Sequence, residues 1–169
     1  HIGHRAILDR ARAAAADLGG SSLVLTVVPT PKEFFSPEAA PQMLKLAKSM
    51  AEATGKLTGR PGMCFVTRGP GVTNASIGLH TARQDSTPML LLVGQVGRDM
   101  VGREAFQEID YRKMLGEVTK WVDQVEDPAR IPEYVARGWS IAMAGRRGPV
   151  ALVFPEDVLT AVAEADDVP

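Results

Sequence analysis

The chain has 169 residues, of which 45% are apolar, and its 19 basic and 20 acidic residues leave a formal net charge of -1. This is the size of one ordinary domain, and the apolar fraction is enough to fill its core. Because neither a basic stripe nor an acidic tail stands out, neither nucleic acid nor an anionic membrane surface is expected as a partner. The single cysteine, Cys64, excludes an internal disulfide and a multi-cysteine metal site, and its apolar surroundings predict a core position.

No stretch of the chain is apolar for long enough to predict a membrane span. The longest uninterrupted apolar run, residues 89–93, is far shorter than the roughly 20 residues that a span requires. The sequence also begins without a charged segment followed by an apolar one, as a secretory leader would have. A soluble cytoplasmic protein is therefore expected.

The amino-terminal part of the chain predicts a helix, a strand and an irregular connection. Residues 5–18 are alanine-rich, and the glycine pair that follows ends this helix before an apolar, β-branched run at 23–28. Four prolines between positions 29 and 41 exclude regular helix from the next segment. An amphipathic helix is then expected over 42–57, because its apolar positions share one face.

Residues 60–95 predict a β-α-β unit, around which the other elements are arranged. The apolar runs at 63–67 and 89–93 are typical of buried strands, and the positions between them repeat at helical spacing up to Pro88. A crossover helix makes the two strands parallel. Gly69-Pro70-Gly71 is then a turn at the carboxyl edge of the sheet, where free amides at a helix start can meet a ligand.

The later elements continue this alternation. Inward-facing Phe106 and Ile109 are expected on the first of them, and the full set is a helix over 103–115, a strand over 119–125, a helix that Asp127 caps, and a strand over 150–154. Most strands are apolar on both faces, as in sheets that helices cover on both sides. The predicted fold class is therefore α/β, doubly wound, with three layers around a mostly parallel sheet.

The segment Gly69-Pro70-Gly71-Val72-Thr73-Asn74 allows two interpretations. It has the first two glycines of a dinucleotide fingerprint, but asparagine stands where the third belongs and no ribose-binding acid follows the next strand. A nucleotide-binding Rossmann-like domain is therefore a weaker hypothesis. Either the glycines serve only the geometry of a tight turn, or Thr73 and Asn74 offer hydrogen bonds to a ligand at a helix start.

Two other polar segments favour structural roles when they are considered alone. Residues 103–112 place many polar groups around Phe106, which is typical of a solvated helix face with one aromatic anchor. His80 has no acid or nucleophile at a fixed spacing, so a helical histidine without a catalytic role is expected.

Several motifs in one order nevertheless resemble a known family. They occupy residues 58–76, 84–89, 94–96, 103–110, 119–121 and 148–158, and include Arg60-Pro-Gly, Gly69-Pro-Gly-Val-Thr-Asn74, Gly94-Gln-Val and Ala105-Phe-Gln-Glu108. Together they are similar to the thiamine-diphosphate-dependent enzymes of the acetolactate synthase type, specifically to their amino-terminal pyrimidine-binding domain. The resemblance implies a flavodoxin-like fold that binds the aminopyrimidine ring of thiamine diphosphate at a dimer interface. It also implies that a separate domain of the partner subunit holds the diphosphate and its Mg²⁺, so no metal ligands are expected in this chain.

The resemblance also assigns candidate site residues. It places the loop at 69–74 beside the aminopyrimidine, with these residues as the cofactor-binding candidates: Gly69, Pro70, Gly71, Thr73 and Asn74. Gln107 is a further cofactor-binding candidate, and Phe106 and Gln107 are expected to face the substrate channel.

The catalytic acid of the family has no clear counterpart in this chain. In the family a glutamate shortly before a Met-Ala-Glu-Ala turn protonates the pyrimidine, and a gapless count from Met50 places that position at Leu44. The simplest interpretation of Leu44 is a residue near the apolar stripe of its helix. Glu33 or Glu38 could supply the carboxylate only if the proline-rich segment folds back. The catalytic residue therefore stays unassigned.

The sequence thus predicts a cofactor-binding domain of a 2-oxo acid carboligase or decarboxylase, a transferase or lyase that acts on a substrate such as pyruvate. Its expected organisation is one domain over 1–169, with an atypical segment 1–49, a family-like segment 50–159 and a linker-like tail 160–169. The isolated chain is expected to be inactive, to self-associate and to require a diphosphate-binding domain. The alternative hypothesis is a non-catalytic scaffold or interaction domain, as in an engineered or decayed relative.

Overall fold

The structure, a computed structural model, describes residues 24–26 and 39–165. Its strands are β1 (Val24–Thr26), β2 (Gly62–Thr67), β3 (Met89–Gln95), β4 (Trp121–Gln124) and β5 (Pro149–Pro155). Its α-helices are α1 (Ala39–Thr58), α2 (Arg68–Gln84), α3 (Tyr111–Leu115), α4 (Ile131–Met143) and α5 (Glu156–Thr160), with single 3-10 turns at Arg98–Met100 and Pro128–Arg130. The helix expected over 5–18 lies outside the described residues, as do Glu33 and Glu38.

The described strands form one sheet in the order β1-β2-β3-β5-β4, and every neighbouring pair is parallel. Apolar runs bounded by glycine and proline form the central strands, and all residues of β5 are buried. The parallel sheet predicted from alternating strands and helices is confirmed, since each predicted strand contains or overlaps an observed one.

Helices cover both faces of the sheet and give it three layers. One face packs Val72, Leu79 and Leu115 of α2 and α3, together with Ala51 of α1, against the strands. The other face packs Ala142 of α4 and its apolar neighbours against β3 and β5. The doubly wound α/β class is therefore confirmed. Cys64 is fully buried in the first of these layers, as expected for a core thiol.

The helix predicted over 103–115 is wrong for most of its length. After the 3-10 turn the chain continues through turns, and helix begins only at Tyr111, where the Asp110 side chain accepts a hydrogen bond from the Lys113 amide. Phe106, expected to point inward, is 67% exposed. Ile109 does pack against the core. Left-handed backbone within this segment is incompatible with a continuous helix.

The turn predicted at Gly69-Pro70-Gly71 is instead the first turn of α2. The helix begins at Arg68, directly after β2, so the change of direction occurs between Thr67 and Arg68. Arg68 has a φ of 48°, a left-handed conformation that few non-glycine residues adopt. The strand therefore passes into the helix without an intervening loop.

Basic side chains cap the helices at the amino edge of the sheet. Arg146 donates to the Arg83 and Gln84 carbonyls at the end of α2, and Arg147 donates to the Gly59 carbonyl directly after α1. Lys120 donates to the Ile141 and Ala144 carbonyls at the end of α4. Carbonyls at a helix carboxyl end lack partners within the helix, so these cations supply their hydrogen bonds. The positive charges also interact favourably with the negative ends of the helix dipoles.

Candidate functional site at the carboxyl edge

The ends of β2, β3 and β5 meet at one edge of the sheet, where parallel α/β proteins bind ligands. The residues that follow these strands are Arg68 after β2, the segment 96–110 after β3, and Glu156 after β5. We refer to the segment 96–110 as the edge loop. The cofactor and channel candidates, in α2 and in the edge loop, all lie at this edge.

The edge loop is hydrogen-bonded to the start of α2. The Gly69 amide donates to the Gln107 carbonyl over 3.0 Å, and the Arg68 guanidinium donates to the Phe106 carbonyl over 3.3 Å. Gln107 itself has a φ of 66°. The structure therefore brings the two predicted segments, 69–74 and 106–107, into direct contact.

Gln95, the last residue of β3, anchors the edge loop to the end of that strand. Its side chain is buried, donates to the Ile109 carbonyl over 2.8 Å and accepts from the Val96 amide over 3.0 Å. The Tyr111 hydroxyl donates to the side-chain oxygen Oε1 of Gln95 over 3.5 Å. Burial raises the pKa of Tyr111 to about 12, so its hydroxyl stays protonated near neutral pH.

A second contact ties the beginning of the edge loop to α5. The Asp157 carboxylate accepts from the Arg98 amide over 3.0 Å and from the Arg98 guanidinium over 2.6 Å. Burial alone would raise the pKa of Asp157, but the hydrogen bonds from Arg98 outweigh it and lower the pKa below its usual value. The beginning of the edge loop therefore depends on an ionised carboxylate.

The glycines of the segment 69–74 are needed for contacts within the protein. A Cβ on Gly69 would lie 2.8 Å from Ile109 Cδ1 and 3.1 Å from the Gln107 carbonyl, and one on Gly71 would lie 3.1 Å from Val66 Cβ. Gly69 thus lets the edge loop approach α2, and Gly71 lets α2 approach β2. This packing is the geometric role that the sequence left as an alternative to ligand contact.

The exposed candidates of this segment are Pro70, Thr73 and Asn74. The Thr73 hydroxyl donates to the Gly69 carbonyl over 2.9 Å, and the Asn74 amide donates to the Pro70 carbonyl over 2.9 Å. Hydroxyl and side-chain amide oxygens are hydrogen-bond acceptors with two lone pairs each. An exocyclic amine, such as that of an aminopyrimidine, is chemically suited to such acceptors, so this face fits the cofactor that the resemblance implies.

Phe106 and Gln107 lie at the outer side of the same edge. Phe106 projects into solvent, and Gln107 is half-buried against the start of α2. The structure thus places the two channel candidates next to the cofactor candidates.

The sequence did not single out Arg68, Gln95, Glu156 or Asp157 as parts of this edge. Arg68 and Glu156 are 88 residues apart in the chain, yet Arg68 Nη2 lies 3.1 Å from Glu156 Oε2. Their adjacency follows from the strand order, which no local pattern reveals. A weak signal did exist for Gln95, because an amide side chain that ends an apolar strand needs a buried partner.

Leu44 lies in α1, but its side chain is outside the part that the structure describes. Among the described residues, no group of three or more histidine, cysteine, aspartate or glutamate side chains could hold a metal ion. Over the same residues, no helix is both long and apolar enough to cross a membrane.

Comparison with known proteins agrees with this geometry. Residues 45–114 match the family described as thiamine pyrophosphate enzyme, N-terminal TPP binding domain. The acetolactate synthase large subunit of Parasynechococcus marenigrum is 44% identical over 108 residues, which are 64% of this chain and 18% of that protein. The corresponding protein of Lactococcus lactis is 42% identical over 118 residues, or 69% of this chain and 20% of the relative. A probable acetolactate synthase large subunit of Methanocaldococcus jannaschii is 40% identical over 112 residues, or 66% and 19%.

The fold and the edge define a doubly wound α/β domain whose carboxyl edge is formed by α2 and the edge loop. The matches confirm the resemblance: residues 45–114 match the N-terminal TPP binding domain of thiamine pyrophosphate enzymes, and the chain is similar to acetolactate synthases. The matched segment covers about a fifth of each of these relatives, which therefore contain further domains.

Proposed function

We propose that the chain is the domain that binds the aminopyrimidine of thiamine diphosphate in a 2-oxo acid carboligase or decarboxylase. The observation that carries this proposal is the contact between the segment 69–74 and the edge loop at Gln107, within a region that matches the family. The cofactor supplies the carbanion chemistry when it is bound. This chain supplies the surface that orients its pyrimidine ring.

Each candidate residue has a proposed part in that surface. Thr73 and Asn74 hydrogen-bond the ring, while Pro70 packs beside it. Gly69 and Gly71 act indirectly, because their missing side chains let the edge loop and β2 approach α2. Gln107 contacts the cofactor and the substrate, and Phe106 forms an apolar wall of the substrate channel.

The diphosphate and Mg²⁺ belong, in this proposal, to a second domain supplied by a partner subunit. The chain covers about a fifth of its relatives, so a carboligase or decarboxylase would need additional segments. Residues 1–169 would act as one domain, with residues 160–169 as its linker-like tail. The chain alone would be inactive, would work as a homo-oligomer and would act in the cytoplasm.

The test is cofactor-dependent activity of the parent protein. The gene should continue beyond Pro169 into a domain with a Gly-Asp-Gly followed by an asparagine, as the family resemblance implies. The purified product should bind thiamine diphosphate in the presence of Mg²⁺ and convert pyruvate, whereas residues 1–169 alone should not. Binding without turnover would favour the alternative of a non-catalytic relative, and no binding at all would contradict the proposal.

A pair of matched variants sharpens the binding test. Thr73→Val removes the exposed hydroxyl of the proposed surface and should weaken thiamine diphosphate binding several-fold, the usual loss of about one hydrogen bond. Thr81→Val removes an exposed hydroxyl from the same helix, where it donates to the Ile77 carbonyl over 3.0 Å, and should leave binding unchanged. Equal effects of both variants would remove the segment 69–74 from the site.

A further inference from the structure

Arg68 joins the ends of three strands. It follows β2, its guanidinium donates to the Phe106 carbonyl in the edge loop after β3, and it pairs over 3.1 Å with Glu156 directly after β5. Its side chain is 26% exposed, which leaves the contacts partly shielded from water. No other element of the proposed function uses this residue.

The backbone is strained both at Arg68 and in the part of the edge loop that Arg68 contacts. Arg68 and Gln107 have φ values of 48° and 66°, and the Gly69 amide links them by its hydrogen bond to the Gln107 carbonyl. Non-glycine residues persist in such conformations only where their surroundings determine them strongly. The Arg68 guanidinium and the Gly69 amide supply two of those constraints, on successive carbonyls of the edge loop.

Gln95 supplies a third constraint at the Ile109 carbonyl. The carbonyls of Phe106, Gln107 and Ile109 therefore all accept hydrogen bonds from the ends of β2 and β3 or the start of α2. Arg68 differs from the other two donors in that its side chain also pairs with Glu156, the residue that follows β5. Removing its side chain should free the outer part of the edge loop while Gln95 still holds the inner part.

We propose that Arg68 is a positioning residue that holds Phe106 and Gln107 across the carboxyl edge in the conformation that receives the substrate. The contact itself stands on the geometry above. Its meaning for substrate rests on the proposed function. Arg68 touches neither cofactor nor substrate in this proposal and acts through the edge loop.

Amide hydrogen exchange of the chain tests the contact without any cofactor. Arg68→Ala should speed exchange of the Gly69 amide and of residues 105–109 about tenfold, as expected for losing one hydrogen bond from a charged donor. Arg112→Ala is the matched control, because it removes an arginine–aspartate pair with Asp123 outside the edge loop. It should leave those amides unchanged.

Arg68→Gly separates positioning from general stability. Glycine adopts positive φ readily, so this variant removes the side chain and also relieves the strained backbone. The midpoint of urea unfolding should therefore not fall, while residues 105–109 should still exchange faster. Protection of these residues in both Arg68→Gly and Arg68→Ala would overturn the proposal. If Arg68→Ala fails to fold, Arg68→Gly decides alone.

Kinetics of the full-length parent enzyme test the functional part. Arg68→Gly should raise the KM for the 2-oxo acid about tenfold and change the Kd for thiamine diphosphate far less, because the cofactor candidates lie on α2. Arg68→Lys keeps a cationic donor, so its KM should lie between those of Arg68→Gly and the unmodified enzyme. An unchanged KM in an active Arg68→Gly enzyme would overturn the proposal. A parent without any thiamine-diphosphate activity would instead contradict the proposed function, while hydrogen exchange would still decide the contact.

Discussion

Two glycines in neighbouring strands differ in what a side chain would meet. A Cβ on Gly62, at the start of β2, would lie 2.0 Å from the Ala51 carbonyl oxygen of α1, whereas one on Gly94, near the end of β3, would meet its nearest atom at 3.9 Å. Backbone atoms of a helix cannot move aside without shifting the helix. Gly62 therefore determines how closely α1 packs on the sheet.

We expect Gly62→Ala to lower the free energy of unfolding by about 3 kcal/mol or more, the upper range for forcing atoms into a packed core. Gly94→Ala should change it by less than ~1 kcal/mol, because the added methyl makes ordinary contacts. Urea unfolding followed by circular dichroism measures both. Equal losses would mean that α1 does not contact β2 as closely as the structure describes.

The Arg98–Asp157 pair should make the edge loop sensitive to acid. The pKa of Asp157 is lowered in the folded chain, so the pair stabilises above the ordinary aspartate pKa of 3.8 and this stability is lost as pH falls through the folded value. Asp157→Asn should therefore destabilise at pH 7, by at most ~1 kcal/mol because the pair is partly exposed.

The measurement is the difference in unfolding free energy between the unmodified chain and Asp157→Asn at pH 7 and near pH 3. This difference should shrink at the lower pH. Asp127→Asn is a suitable control, because Asp127 caps a turn through the Ala129 amide and asparagine also caps helix starts well. A difference for Asp157→Asn that is independent of pH would contradict the role of its charge.

Leu44 is the residue on which catalytic competence depends in the proposed function. The family match begins at residue 45, so it does not reach Leu44, and the assignment rests on the count from Met50. If the count is right, the full-length parent should turn over slowly, because general acid–base assistance is typically worth about 10²- to 10⁴-fold.

Leu44→Glu should then raise carboligation by the parent enzyme, at a cost of ~1 to 3 kcal/mol in stability if the position is closed to water. Leu44→Gln is the control, because it is polar but cannot transfer the proton. Full activity of the unmodified enzyme, abolished by Glu33→Gln or Glu38→Gln, would show that the carboxylate comes from the proline-rich segment instead.

At the scale of elements, the strands were predictable and the edge loop was not. β2, β3 and β5 are apolar runs bounded by glycine or proline, so their local sequence determines their position. The edge loop carries polar residues that suit a helix surface equally well. Its conformation is determined by Arg68 and Gln95, which are 38 and 14 residues from the carbonyls they bind. Such contacts leave no periodic signal.

The position of the candidate site was predictable from the sequence pattern, but its ligand was not. A glycine-containing segment after an apolar strand predicts a ligand-facing edge in any parallel sheet, and 69–74 lies there. The assignment of a particular ligand came from the family resemblance alone. The strained conformations of Arg68 and Gln107 were not predictable, because positive φ in residues of these types has no sequence signal.

The caps at the amino edge give a prediction for α2. Arg146→Met removes the donor to the Arg83 and Gln84 carbonyls and to the Ser86 hydroxyl, and should cost roughly 1 to 2 kcal/mol. Arg83→Met removes an equal charge from the last turn of the same helix and should cost only about 0.5 kcal/mol. Thermal unfolding compares them. Similar losses would indicate a general charge effect rather than capping.

At the scale of the whole molecule, large apolar side chains of α2 and of the edge loop remain exposed. Ile77 of α2 is 66% exposed and Phe106 is 67% exposed, and Met100 and Val101 of the edge loop are also open to solvent. Exposed apolar surface of this kind is typical of association sites. Burial of these side chains of α2 and the edge loop against a second copy would remove them from water.

We therefore expect the chain to self-associate, with a dimer mass by light scattering at ~100 µM, well above the dissociation constants usual for interfaces of standard size. Ile77→Asp should shift the mass towards the monomer. Leu57→Asp is the control and should leave the mass unchanged, because Leu57 is 86% exposed at the carboxyl end of α1, outside the surface of α2 and the edge loop. A strictly monomeric unmodified chain would contradict this prediction.

The position of β5 has a consequence for how the protein is synthesised. β5 is the last of the described strands along the chain, yet it lies between β3 and β4 and pairs with both. Until the ribosome has released residues 149–155, β3 and β4 present unpaired edges, and the apolar residues of β3 have no cover on that side. Unpaired apolar strands of this kind are the usual starting points for aggregation.

Closure of the sheet must therefore wait until residues 149–155 have left the ribosome. Parallel pairing joins Met89 of β3 to Pro149 of β5, so the contacts between these two strands cannot form early during translation. A chain truncated before residue 149 should bind chaperones and precipitate. A chain that includes β5 should do neither once its sheet has formed. In the longer relatives, synthesis continues after the segment that corresponds to β5. We therefore expect their sheet to close while the rest of the protein is still being made.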